Sequence, residues 1–192
     1  MIVNNIDIFE PLFQDLEEDE FLFLQHKIRK KDGNKENIEG DLLIFKDFKS
    51  AKEYTLKEGV VKHGERMYIS IKKQSFYESD MEPDEWLNQD IVVFPKPDPF
   101  DDRVFVDVDD LQYLNCIRKV LDENNIKSYF DYGTVAGRHI VTEPFDRTII
   151  DYNFLRDECE LKEGNLKGLL YADVDIPENK MVDFTDKEDI QD

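Results

Sequence analysis

Two aspartates lie two residues apart in an apolar segment, Arg103-Val-Phe-Val-Asp-Val-Asp109. Alternate residues of a β-strand point to the same face, so Asp107 and Asp109 share a face with Phe105, while the valines occupy the other. Neighbouring carboxylates repel each other unless a cation lies between them. Their hard oxygen atoms suit Mg²⁺ or Mn²⁺, ions that polarise phosphoryl groups. The segment therefore predicts a divalent-metal site, although a solvated sheet edge has the same pattern.

The elements after this strand would bring further reactive side chains to it. Hydrophobic periodicity and capping residues predict the order β-α-β-β-α-β, which is that of ferredoxin-like and RRM-type folds. The predicted strands are residues 103–109, 126–130, 138–142 and 168–174, and the predicted helices are residues 111–124 and about 146–160. The predicted fold class is α+β, with an RRM-like module that carries the candidate site and a smaller α/β module before it.

Topology would place the candidate residues on adjacent strands. The common strand order of this fold type, 4-1-3-2, puts the first strand between the third and the fourth. His139 on the third strand and Asp173 on the fourth would then join Asp107 and Asp109 on the face away from the helices. A histidine beside carboxylates can contact a substrate phosphate or transfer protons. For His139 taken alone, a structural role is the alternative.

The N-terminal half of the chain is predicted to form the smaller module. A helix capped by Ser50 is expected to run to about residue 64. The predicted strands of this half are residues 21–28, 41–45 and 66–73. A proline-containing stretch at 74–100 marks the expected boundary. The predicted regions are an N-terminal module at 1–100, an RRM-like module at 101–177 and an acidic tail at 178–192.

Charge restricts the function classes. The 192 residues carry a net charge of −20, which disfavours non-specific binding to nucleic acid. Residues 21–75 are the exception: they contain thirteen Lys and Arg against eight Asp and Glu, a net +5 that leaves −25 for the rest. This basic island is a candidate polyanion contact, and a solvated surface with chance asymmetry is the alternative.

Neither a membrane nor an oxidising compartment is indicated by the sequence. No apolar run approaches the roughly 20 residues that span a bilayer, and the N-terminus lacks the pattern of a signal peptide. Two cysteines, Cys116 and Cys159, cannot form a disulfide framework and lie in no Cys/His cluster that suggests zinc. We therefore expect a soluble, cytoplasmic protein that does not act at a membrane.

The motifs resemble those of a known family. Phe105-Val-Asp-Val-Asp109 and Gly137-Arg-His-Ile-Val141 are similar to motifs I and II of the archaeo-eukaryotic primase-polymerase superfamily, and Leu169-Leu-Tyr-Ala-Asp173 is similar to motif III. Small phage-encoded members are the most similar, because they also tend to have an Arg-x-Tyr-Ile strand, here Arg66-Met-Tyr-Ile69. The resemblance spans roughly residues 21–176. Gly137 is a departure, because motif II often has Ser at this position.

This resemblance implies a metal-dependent nucleotidyltransferase, a minimal DNA primase or polymerase core. Asp107, Asp109 and Asp173 would be the catalytic carboxylates and would bind Mg²⁺ or Mn²⁺. The nucleotide-binding residues would be His139, Arg138 and Arg66. The implied partners are nucleoside triphosphates and single-stranded nucleic acid, in the host cytoplasm if a phage encodes the protein.

Two other functions fit the same sequence. The charge of −20 also suits a catalytically inactive, phage-like protein that binds a basic protein surface, as a nucleic-acid mimic or an inhibitor. An RRM-like sheet also suits a module that binds nucleotides or single-stranded RNA or DNA without turnover. Metal-dependent synthesis on a template would distinguish the enzyme from both.

Overall fold

The computed structural model describes residues 1–18, 20–71, 73–75, 103–152, 157–163 and 167–175. These residues form an α+β structure with two antiparallel sheets, as the sequence predicted at that level. The described strands are β1 (Ile2–Asn4), β2 (Glu20–Ile28), β3 (Ile38–Phe45), β4 (Glu65–Ser70), β5 (Gln74–Ser75), β6 (Val104–Val108), β7 (Ser128–Gly133), β8 (Arg138–Thr142), β9 (Glu160–Glu163) and β10 (Lys167–Asp173). The described α-helices are α1 (Ile6–Phe9), α2 (Phe48–Leu56), α3 (Leu114–Glu123) and α4 (Thr148–Tyr152).

The first sheet has the order β1-β10-β4-β2-β3, and β5 pairs with β2 outside this path. Residues 21–24 of β2 are at most 4% exposed, so both faces of this strand are covered. Continuous apolar runs are typical of strands buried on both faces. Helix α2 adds Phe48 and Ala51 to the same core.

The second sheet has the order β7-β8-β6-β9, with every neighbouring pair antiparallel. On β6, Val106 and Val108 are buried in a core with Ile117 and Leu121 of α3. Phe105 points to the other face and belongs to the core of the first sheet. The predicted alternation of β6 is confirmed at these residues. The face that was expected to be open is covered in part by the first sheet.

Polar and aromatic contacts join the two sheets. The buried Asn5 amide donates to the carbonyl oxygens of Gly133 and Leu169, at 2.8 and 2.7 Å. The rings of Phe9 and Tyr132 pack with centroids 5.1 Å apart. We call the space between the Phe105 face of the second sheet and strands β4 and β10 of the first sheet the inter-sheet junction.

Strand β10 lies in a different sheet from the one predicted. It pairs with β4 and β1, and the strand beside β6 is β9, which begins at Glu160, where the predicted helix was expected to end. Leu169, Leu170 and Ala172 are each at most 2% exposed, as expected of a strand between two neighbours. The short, polar sequence of Glu160–Glu163 suits a sheet edge. The predicted position of residues 168–174 beside the first strand was therefore wrong.

Helix boundaries also differ from those predicted. Asp47 rather than Ser50 caps α2: its carboxylate accepts from the Ser50 backbone N–H at 2.7 Å. The helix ends at Leu56 instead of near residue 64, and α4 is described only as Thr148–Tyr152. The predicted cap at Asp110 is confirmed, since its carboxylate accepts from the Gln112 N–H, but a 3₁₀ turn precedes α3.

Two of the sequence predictions fall outside the described residues. They are the boundary stretch at 74–100, apart from its first two residues, and the acidic tail at 178–192. Among the residues that the structure describes, no helix has the length and apolar character needed to cross a membrane.

Candidate functional site

Asp107 and His139 meet across adjacent strands of the second sheet. The antiparallel register of β6 and β8 makes them direct cross-strand partners, and His139 Nε2 lies 2.9 Å from Asp107 Oδ1. Both side chains are mostly buried, with 13% of Asp107 and 17% of His139 exposed. The predicted proximity of these two residues is therefore confirmed.

Tyr132 of β7 fixes the orientation of the His139 ring. Its hydroxyl lies 2.8 Å from His139 Nδ1, and its side chain is completely buried. Burial raises the pKa of Tyr132 well above its ordinary value, and the negative charge of Asp107 acts in the same direction. The hydroxyl therefore keeps its proton and can donate it to Nδ1, which fits the tautomer that carries hydrogen on Nε2, toward Asp107.

Lys162 holds the second oxygen of the Asp107 carboxylate. Its ammonium group pairs with Asp107 Oδ2 and also lies 3.1 Å from Glu160 Oε2. Asp107 and Glu160 are cross-strand partners in the β6–β9 register, so Lys162 connects two facing carboxylates. Burial alone would raise the pKa of Asp107, but hydrogen bonds and charge from His139 and Lys162 lower it to about 2.

Asp109 follows the end of β6 and is exposed. Its backbone is packed tightly against Gly137: a Cβ built on Gly137 would lie 2.9 Å from the Asp109 Cα and 1.9 Å from the Val108 carbonyl oxygen. A serine, as the family motif often has, therefore does not fit this backbone without a shift. Thr134 is the nearest hydroxyl described there, and it accepts from the Gly137 N–H at 2.9 Å.

A turn with three consecutive cations lies on the first sheet near this strand end. We call Arg29, Lys30 and Lys31 the basic turn; with Asn37 they line an open depression of about 490 Å³. Burial and the nearby charges of Arg66 and Arg29 lower the pKa of Lys31, while the Asp109 carboxylate acts in the opposite direction. The basic turn and the acidic end of β6 therefore influence each other electrostatically.

Buried polar groups hold the basic turn in place. Arg66 binds Asp32, the residue after the turn, through two hydrogen bonds of 2.6 and 2.5 Å. The two side chains are only 5% and 3% exposed. The Asn34 amide donates to the Arg29 and Gly64 carbonyl oxygens, and the Lys30 N–H donates to Asn37. The three cations are thus presented by a rigid loop.

Tyr68 of β4 links this loop to the junction. Lys27 Nζ and the Arg29 guanidinium lie 5.5 and 5.6 Å from the centre of its ring. Its side chain also acts electrostatically on Arg66 and on Tyr132 of the other sheet. Tyr68 therefore lies between the cations of the first sheet and the Tyr132–His139 pair of the second.

Three predicted site residues have other surroundings. Asp173 is on β10 of the first sheet, 3.2 Å from His63 Nδ1, so the prediction that it shares a strand face with Asp107 was wrong. Arg138 neighbours Ile140 on the helix-facing side of the second sheet and pairs with Asp131, as does Arg118. The predicted nucleotide-binding Arg66 is enclosed in its ion pair with Asp32.

Of the three predicted metal ligands, Asp107 and Asp109 lie on β6 or directly after it, whereas Asp173 lies in the other sheet. Within the described ranges, no group of three or more His, Cys, Asp or Glu side chains has a geometry that could hold a metal ion. Asp107 on β6 and Asp109 just after it offer hard oxygen ligands, as Mg²⁺ and Mn²⁺ prefer. Lys162 shows that Asp107 and Glu160 already hold a cation, the ammonium group. The chemistry of this donor set therefore suits a cation.

Sequence reasoning missed Tyr132, Glu160 and Lys162. Tyr132 carries a weak signal, because the strand Ser-Tyr-Phe-Asp-Tyr-Gly alternates and its last tyrosine lies opposite His139 once the hairpin is paired. Glu160 and Lys162 have alternate positions in a four-residue strand, but the sequence predicted no strand there and put Glu160 at the end of a helix. No local pattern indicates that β9 pairs with β6.

Comparisons with protein-family models, curated proteins and solved structures find no match for this chain. The primase-polymerase resemblance therefore stays a prediction that depends on the motifs and on the geometry of Asp107 and His139.

Proposed function

We propose that this protein is a metal-dependent nucleotidyltransferase that resembles a minimal DNA primase or polymerase core and acts at the inter-sheet junction. The observation that carries the proposal is the pairing of His139 with Asp107 at 2.9 Å, on the face of β6 next to the basic turn. The element order between Val104 and Glu163 and the strand order β7-β8-β6-β9 support an RRM-like, ferredoxin-like module.

Asp107 and Asp109 are the proposed ligands of Mg²⁺ or Mn²⁺. A bound ion would polarise the α-phosphate and neutralise charge on the leaving pyrophosphate. Asp173 has no role in this proposal, because it lies on another sheet with His63. Two carboxylates rather than three therefore define the proposed metal site.

The protein side chains bind and orient the nucleotide. His139 contacts Asp107 through Nε2 while Tyr132 holds its ring at Nδ1, so His139 would position the Asp107 carboxylate beside the nucleotide phosphates. The basic turn attracts the triphosphate or the backbone of a single-stranded template, since three cations on a rigid loop are already close together. Arg66 acts through Asp32 to hold that loop. Cytoplasmic nucleoside triphosphates are the proposed substrates.

Template-dependent synthesis is the test of this function. Wild type would be incubated with a single-stranded template, with and without a primer, with ribo- or deoxyribonucleotides and with Mg²⁺ or Mn²⁺. We expect product from wild type and from Asp122→Asn/Glu123→Gln, which also removes two negative charges but on the outer surface of α3, and none from Asp107→Asn/Asp109→Asn. Equal activity in the double variant, or no activity and no metal binding in wild type, contradicts the proposal.

Binding measurements would distinguish the other two functions. A protein that binds nucleotides or oligonucleotides without forming product, with or without Mg²⁺, is a binding module on the same sheet. Salt-sensitive binding to a basic protein that Asp107→Asn/Asp109→Asn leaves unchanged would instead favour an acidic mimic or inhibitor.

A further inference from the structure

We propose that Lys162 is an internal cation that occupies the Asp107 carboxylate and must leave it before a divalent metal binds. The inference deepens the proposed function, on which it rests for the presence of a metal. Its observation is that one ammonium group connects Asp107 Oδ2 with Glu160 Oε2, on two facing strands at the inter-sheet junction.

Both oxygens of Asp107 have a partner in the described structure. His139 Nε2 contacts Oδ1, and Lys162 Nζ contacts Oδ2. A metal ion at this carboxylate must therefore compete with one of the two groups. Because like charges repel at these distances, an ammonium and a divalent ion cannot share Oδ2.

Lys162 is the partner that can leave. Its side chain is 37% exposed, whereas His139 is 17% exposed and is held at its other ring nitrogen by the buried Tyr132. A lysine ammonium is also a point charge on a flexible stem, and it can detach without disturbing the strand. Glu160 is 71% exposed and can keep the released ammonium close to the site.

The consequence is a weakened apparent metal affinity. If Asp107 is free of Lys162 in only a fraction of molecules, the apparent dissociation constant rises by the inverse of that fraction. A fraction of about one tenth, an order-of-magnitude value, would weaken binding about tenfold. Removing the ammonium should restore the lost metal affinity, because it takes away both the competing group and a charge that repels the metal ion.

Mn²⁺ titration followed by electron paramagnetic resonance of the free ion tests this directly. We expect Lys162→Met to bind Mn²⁺ about tenfold more tightly than wild type, and Lys162→Arg to stay near wild type. The matched control is Lys119→Met, which removes the same charge from the exposed Lys119–Glu123 pair on α3 and should change nothing. The double variant Asp107→Asn/Lys162→Met should not show the tighter Mn²⁺ binding of Lys162→Met.

The outcomes separate this inference from the proposed function. If wild type binds Mn²⁺ and Lys162→Met binds it no more tightly, the inference is overturned and the metal-dependent function stands. If neither protein binds Mn²⁺, both are overturned. An equal gain in Lys119→Met would mean that net charge alone explains the change, and it would also overturn the inference.

Nitrogen NMR of the lysine ammonium groups provides a second readout. It keeps Lys162 intact, so it does not depend on whether a Lys162 variant folds. In metal-free wild type, the Lys162 signal should have the slow hydrogen exchange of a hydrogen-bonded ammonium. Mg²⁺ should move it toward the signal seen in Asp107→Asn. Mg²⁺ binding that leaves the Lys162 signal unchanged contradicts displacement.

Discussion

Asp32, beside the first sheet, and Asp107, in the second, are both largely buried and have cationic partners, and the two ion pairs differ in how firmly they are closed. Asp32 and Arg66 are 3% and 5% exposed and are joined through two hydrogen bonds of fixed geometry. Asp107 is 13% exposed, and its partner Lys162 is 37% exposed. The first pair has the features of a structural element, and the second has those of an exchangeable one.

The difference follows from the chemistry of the partners. A guanidinium presents a planar fork that matches both carboxylate oxygens, so Arg66 satisfies Asp32 completely. Asp107 divides its oxygens between an imidazole and an ammonium group on two different strands. Breaking either contact leaves the other in place, which allows Asp107 to change partners without unfolding its strand.

The largest expected effect is on stability when the closed pair is broken. Arg66→Met leaves the Asp32 carboxylate buried without its cation, and removing one member of such a pair typically costs about 3–5 kcal/mol. Urea unfolding would measure the loss. Lys49→Met is the matched control, because it removes a cation from the exposed Lys49–Glu53 pair and should cost less than about 0.5 kcal/mol.

A double variant sharpens this prediction. Asp32→Leu/Arg66→Met removes both charges and should recover much of the stability that Arg66→Met loses, since no unpaired charge is then buried. Equal unfolding midpoints for Arg66→Met and Lys49→Met would show that the Asp32–Arg66 pair is not the closed structural element described above.

The exchangeable pair of Asp107 and Lys162 should contribute less to the free energy of unfolding than the closed pair does. Its contribution should also depend on pH. Asp107→Asn should lower the free energy of unfolding at pH 7 by about 1–2 kcal/mol, a value reduced for the solvent exposure of Lys162. Because the pKa of Asp107 is lowered to about 2 in the folded state, its contribution is full above the unfolded pKa of about 3.9 and is lost as the pH falls below it.

Urea unfolding of wild type and Asp107→Asn between pH 6 and about pH 3 would measure this contribution. The difference between the two proteins should narrow as the pH falls. Asp122→Asn should show no comparable narrowing. If the difference in unfolding free energy between wild type and Asp107→Asn stays constant over this pH range, the charge of Asp107 is not what stabilises the folded state.

A smaller effect is expected from the group that orients His139. Tyr132→Phe removes the hydroxyl that contacts His139 Nδ1 and should cost about 1 kcal/mol. In Tyr132→Phe, nitrogen chemical shifts of the His139 imidazole should show that the tautomer with hydrogen on Nε2 is no longer the favoured one. Tyr129→Phe, on an exposed tyrosine of the same strand, should leave both the stability and the tautomer unchanged; the same tautomer in Tyr132→Phe would contradict the role of Tyr132.

The pairing of Asp107 with His139 was predictable because it depends on local alternation and on one strand neighbour. Val106 and Val108 fix the face of β6, and the same parity applied to β8 puts His139 beside Asp107. The motif resemblance pointed to the same two residues. The alternation of residues along β6 and β8, together with the order of the strands, was sufficient to predict this part of the site.

The partners of the two aspartates were not predictable in the same way. Strand β10 reads as a strand, but periodicity does not say which sheet it joins, and so Asp173 was assigned to the wrong one. Lys162 lies in a four-residue edge strand whose pairing depends on long-range contacts. The Asp32–Arg66 pair requires the turn after β2 to fold back over β4, which no short sequence pattern encodes.

The smallest effect on stability is expected at the basic turn, whose cations form no ion pair with another of the described residues. Lys31→Met should change the free energy of unfolding by less than about 0.5 kcal/mol. Burial and repulsion from Arg66 and Arg29 lower the pKa of Lys31 and outweigh the attraction of Asp32 and Asp109, so losing its charge should cost little stability. Inorganic triphosphate should nevertheless bind several-fold more weakly to Lys31→Met. Lys35→Met, with the same charge change outside the turn, should bind it as wild type does, and an equal loss in both variants would assign the attraction to net charge instead of the basic turn.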